Sequence, residues 1–218
     1  MIEQVVRYGV VFVGLAAIIL VYYGSKKIEG ISDSISEKEK YYFYCLPVAV
    51  LITAVYMIIK YTPEYDQFMA WKRIAFLPLL WYISYIDYKL KLILNEFLLM
   101  GIGLRGILLI PEILIGRRES LAVLVTELAG ALILFLFGVL FRFLSRNGLG
   151  AGDVKLFALV PLFMGALEGL HAILLGMIII FILSCVFLVL KRKGLKDELP
   201  FAPSIALGCW LIMFFSCV

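Results

Sequence analysis

The sequence predicts an all-α fold, a polytopic membrane bundle of about eight helices (six to eight). Three observations lead there. Of the 218 residues, 64% are apolar and only 17% are charged, whereas a soluble domain has roughly 45–50% apolar residues and about 25% charged. A soluble protein of this size leaves too much of its surface exposed to hide that excess. Apolar runs also recur from end to end, punctuated by charge clusters, and a membrane span takes about 20 residues. Finally, lysines and arginines concentrate in alternate connections, as they do where a bundle has a cytoplasmic side. The net charge of +4 is small and spread over those connections, so no nucleic-acid partner is expected.

Taken in order, spans are expected near 8–23, 41–60, 72–87, 92–110, 121–141, 154–168, 171–190 and 200–217. The first carries a single early cation, Arg7, and lacks a small-residue cleavage pattern, so it reads as a retained helix rather than a signal peptide. The third is short, but Trp71, Trp81 and Tyr82 suit a helix anchored at an interface. The run from Val154 to Leu190 is too long for one span, and Glu168, Gly169 and His171 are expected to mark the turn that splits it. Residues 25–40 are strongly polar with charges of both signs, a solvated connector. The whole chain reads as one membrane-embedded domain, in which 1–70 supply two spans without a motif and 71–218 carry the chemistry.

Placing the N-terminus outside puts Lys26, Lys27, Lys38, Lys40, Lys89 and Lys91 on the cytoplasmic side. Arg142, Arg146, Lys155, Lys191, Arg192, Lys193 and Lys196 join them. That is 13 of the 20 cations, and the inverse orientation is disfavoured.

The cysteines, at 45, 185, 209 and 217, form no Cys-x-x-Cys pair and read as small buried hydrophobes. His171 is the single histidine and reads as a turn residue. Neither a metal centre nor a cofactor is expected.

Ionisable groups at membrane depth are costly and therefore informative. Asp87 ends the third expected span, and Asp153 opens the sixth within Gly148-Leu-Gly150-Ala-Gly152-Asp153-Val-Lys155-Leu156. Both fall at similar depth on the cytoplasmic side. Two carboxylates brought close cannot both ionise cheaply, so one keeps a proton and the pair titrates as a unit. The ionised member can then take a proton from water while the other donates to a scissile carbonyl. Glycine at 148, 150 and 152 allows close backbone approach, and an exposed edge can hold an extended peptide by strand addition. The plainer reading is a glycine-rich connector. Pro200 and Pro203 open the last span in Leu199-Pro-Phe-Ala-Pro-Ser204; they leave carbonyls free at the boundary or simply start a helix.

These three segments together resemble the type IV prepilin peptidases, which are Gly-x-Gly-Asp membrane aspartic proteases. Residues 148–156 match the G-x-G-x-G-D-x-K-L signature. Asp87 through Asn95 resembles the first aspartate motif, with Leu94 where the family has proline. Residues 199–208 resemble P-F-G-P-x-L-A-x-G, with Ala202 for glycine.

The resemblance implies Asp87 and Asp153 as the catalytic pair. It marks Gly148, Gly150, Gly152, Lys155, Asn95, Pro200 and Pro203 as substrate-binding candidates. The implied partner is a prepilin or pseudopilin, whose leader is removed at the cytoplasmic face of the cell membrane. Members that also N-methylate the product carry paired Cys-x-x-Cys motifs, so methylation is not expected here.

The competing readings are a proton-coupled transporter relaying protons through the two aspartates, a non-catalytic scaffold, and a presenilin-like protease. Against the transporter, the aspartates sit at span ends and no inverted repeat is visible. Among the remaining charges, Arg105 is expected to snorkel outward and Glu96 to line the mouth of the site. Glu127 has no partner legible in the pattern.

Overall fold

The computed structural model describes Ile52, Thr53, Tyr56 and residues 64–145, 148–190 and 199–215. The regular structure among the described residues is helical. Helix α1 runs over Glu64–Leu90, α2 over Asn95–Leu144, α3 over Ala151–Met164, α4 over Ala166–Val189 and α5 over Ala202–Phe215. The expected span 8–23, nearly all of 41–60, the polar stretch 25–40, Arg146 and the cations at 191–196 lie outside the described residues. The chain divides into two compact units, 1–82 and 83–218. In the first, α1 packs Phe68 edge-on to Trp71 and buries the charged Lys72 and Arg73. The second carries both candidate aspartates.

Helix α2 is formally continuous for 50 residues, yet it cannot be straight. Arg105 donates to Glu127 at 2.6 Å, and Ser120 donates to the backbone oxygen of Glu112 at 2.8 Å. In a straight helix rising 1.5 Å per residue those pairs would stand about 33 Å and about 12 Å apart. The element therefore folds back on itself between Glu112 and Ser120, and its limbs 95–114 and 120–144 run antiparallel. Each limb is long and apolar enough to cross a membrane, which agrees with the two spans expected at 92–110 and 121–141.

The long run after Val154 does split, but earlier than expected. Gly165 turns the chain with φ of 90°, a left-handed conformation costly to any residue with a Cβ. Glu168, Gly169 and His171 lie instead on the first turns of α4, and His171 is exposed. The turn is tight: a Cβ on Gly169 would come 2.9 Å from the Cα of Pro161. Helix α5 in turn packs on α4 through Gly176, where a Cβ would meet the Cα of Ile205 at 2.9 Å. Small residues of this kind let apolar helices approach closely without a hydrophobic driving force between them.

Of the about eight spans expected, three helices among the described residues are long and apolar enough to cross a membrane: the two limbs of α2, and α4. Helices α3 and α5 have 14 residues each, about 21 Å, which is short of a hydrocarbon core about 30 Å thick. Because α2 is a hairpin and α3 and α4 fold back at Gly165, one end of the second unit gathers the end of α1 and the starts of α2, α3 and α5. All three sequence motifs meet there.

Candidate active site

Asp87 sits in the last turn of α1 and is buried. The chain leaves that helix through Lys91, whose φ is 52°, and continues extended to Leu94. Asp87 Oδ2 accepts the N–H of Ala202 at 2.8 Å, and the N–H of Phe201 also bonds to the carboxylate. The first N–H groups of a helix have no partner within it and carry its positive dipole end. The start of α5 is thus a ready anion seat, and Asp87 occupies it. Pro203 lies in the first turn of α5, where a missing N–H costs nothing. Ala202, which replaces the expected glycine, has its methyl fully buried.

Asp153 is the third residue of α3, and its Oδ2 accepts the N–H of Gly150 at 3.2 Å, capping its own helix. Gly150 has to be bare for this, because a Cβ there would stand 2.7 Å from that oxygen. Gly152 is bare for another reason: a Cβ would fall 2.6 Å from the Cβ of Ile93. Helix α3 is thereby seated on the extended segment that follows Asp87. Lys155 Nζ donates to Asn95 Oδ1 at 2.7 Å, and the Phe157 ring lies 5.7 Å from that of Phe201. Gly148 is tight against its own loop, with Ser145 O 3.1 Å from a notional Cβ. The space beside all three glycines is therefore taken by the chain's own atoms.

The two aspartates lie outside the three helices long enough to span. Burial raises the Asp153 carboxyl, the nearby charge of Asp87 raises it further, and the Gly150 N–H only partly offsets them, leaving it at about 7. Burial also raises Asp87, while the N–H groups of Ala202 and Phe201 pull it back. The structure thus brings Asp87 within electrostatic reach of Asp153. They are held differently: Asp87 takes two backbone N–H donors and Asp153 one, and each such bond favours the charged form. Among the described residues, no group of three or more His, Cys, Asp or Glu is placed to hold a metal ion.

The sequence profile of the type IV leader peptidase family matches residues 74–190, more than half of the chain. The chain belongs to the type IV leader peptidase family. A relative from Bacillus subtilis (strain 168), named prepilin leader peptidase/N-methyltransferase, is 28% identical over 169 residues. That alignment covers 76% of this chain and 64% of the relative, so the chain spans less than two thirds of the relative's length. No solved structure matches. The family match includes Asp87, Asn95, Asp153 and Lys155 and stops before Pro200.

Two expectations about charged side chains are corrected. Arg105 does not snorkel; it is buried, and its guanidinium bridges Glu112 at 2.8 Å and Glu127 at 2.6 Å. Glu127 therefore has a partner, found across the α2 hairpin. A signal for it exists in the sequence once a turn is placed near residue 116, since 105 and 127 are equidistant from that point. Glu96 is exposed in the first turn of α2, at the same end as the aspartates. Cys209 is buried as expected, whereas Cys185 is exposed on α4.

Proposed function

We propose that this chain is a membrane aspartic endopeptidase that cleaves the leader from type IV prepilins or pseudopilins, with Asp87 and Asp153 as its catalytic pair. The observation that carries the reading is a pair of carboxylates within electrostatic reach of one another, each at a helix N-terminus, with two backbone N–H donors on Asp87 and one on Asp153. Family membership and the name of the Bacillus subtilis relative support the substrate class. The concentration of lysine and arginine at the end where the motifs lie supports a cytoplasmic site in the cell membrane.

The chemistry follows from that asymmetry. Asp87 takes a proton from water as its oxygen attacks the carbonyl carbon of the scissile peptide. Asp153 gives its proton to the carbonyl oxygen, which yields a neutral tetrahedral diol. Asp87 then passes its proton to the leaving nitrogen while a diol hydroxyl returns one to Asp153. The C–N bond breaks, and both carboxyls regain their starting states.

The test is cleavage of a prepilin-like substrate by protein in lipid vesicles. Asp87→Asn and Asp153→Asn should each lower turnover by at least about 100-fold, since positioned acid–base groups contribute about 10²–10⁴. Full processing by either variant contradicts the proposal.

A further inference from the structure

The two aspartates belong to different helices, so something must set the distance between them. Asp87 is fixed on the start of α5. Asp153 rides on the first turn of α3, and that turn touches the Asp87–Asn95 segment at two points: the bare face of Gly152 on Ile93, and the ammonium of Lys155 on Asn95. The first is packing that any slide of α3 could loosen. The second is a directed bond between residues 60 apart in sequence.

We infer that Lys155 is a positioning residue, which pins α3 to Asn95 and so holds Asp153 at its working distance from Asp87. The inference rests on the peptidase reading above and departs from a role for Lys155 and Asn95 in gripping substrate. Both side chains are exposed, so their loss leaves the core intact. The link is a directed hydrogen bond, so donor and reach matter.

Four variants separate the roles. Lys155→Met and Asn95→Ala break the bond, whereas Lys155→Arg and Asn95→Asp keep a donor and an acceptor. The first two should lower kcat about 10-fold with KM nearly unchanged, because misplacing a catalytic group by about 1 Å costs up to about 100-fold. The double variant should be no worse than either single one. The conservative pair should retain most activity. Greater separation weakens the push of Asp87 on Asp153, so the basic limb of the kcat profile should move to lower pH in Lys155→Met.

The same shift should appear without substrate when the Asp153 carboxyl is titrated by isotope-edited infrared spectroscopy in vesicles. A raised KM with unchanged kcat and unchanged Asp153 titration overturns the inference, as do additive effects in the double variant. If wild-type protein fails to cleave, the peptidase reading falls, and the infrared titration still decides whether Lys155 positions Asp153.

Discussion

The second unit holds two pairs of buried or half-buried carboxylates, and they are built in opposite ways. In the α2 hairpin, Glu112 and Glu127 share the guanidinium of Arg105, which lies between them. At the other site, Asp87 and Asp153 have backbone N–H groups for support, and the charge of Asp87 is a cost to Asp153. An arginine whose two terminal nitrogens each donate to a carboxylate makes a fixed ion-pair cluster. Among the described residues no salt bridge to either aspartate corresponds to that clamp, and in the proposed mechanism a proton takes the place of the cation and can be handed on. On the proposed function, the difference between the two pairs is what neutralises each.

The sharpest way to break that contrast is to neutralise one member of each pair. Asp87→Asn and Asp153→Asn should abolish nearly all cleavage while leaving thermal stability at pH 8 unchanged or raised, because each removes a repulsion. Arg105→Met should do the reverse to the fold. Removing one partner of a buried charge cluster costs about 3–5 kcal/mol, readable as a lowered unfolding midpoint in detergent. If Arg105→Met is as stable as the parent, the clamp does not hold the hairpin.

Gly152→Val is the next effect in size. Its side chain would collide with Ile93, and forced overpacking costs about 1–3 kcal/mol. The displaced α3 should also lose activity beyond what the stability change explains. A normal cleavage rate in a folded Gly152→Val protein would mean that the seat on Ile93 does not set the site.

A last effect is on stability against pH. The Asp153 carboxyl titrates at about 7 when folded, against an ordinary value of 3.8. Between those values the folded state holds a proton that the unfolded state has released, so stability falls as pH rises through that window and then levels. Asp153→Asn should flatten that slope. An unchanged slope would assign it to other groups.

How much of this was legible in the sequence differs between the same two regions. Asp87 and Asp153 announce themselves because an acid at a span boundary is rare and the surrounding glycines are specific. The end of the bundle on which they meet follows from alternating spans. The clamp was hidden because Arg105 and Glu127 are 22 residues apart, and a helical periodicity relates residues only to near neighbours. The turn between Glu112 and Ser120 makes them a pair. The seat of Asp87 on Ala202 was hidden for a similar reason: the donor is a backbone N–H, which no residue type reports. Gly165 rather than Glu168 makes the later turn because a left-handed φ selects for a missing Cβ, whereas polar residues sit comfortably on the first turns of α4.

The central claim is that Asp153 holds the proton of a pair without a cation, and one titration tests it directly. The Asp153 carboxyl should be followed by isotope-edited infrared spectroscopy in vesicles, in wild-type protein and in Asp87→Asn. The account predicts a protonated carboxyl that persists to about pH 7 and a lower midpoint once the Asp87 charge is gone. Ionisation of Asp153 in the ordinary carboxylate range, with no response to Asp87→Asn, would contradict it.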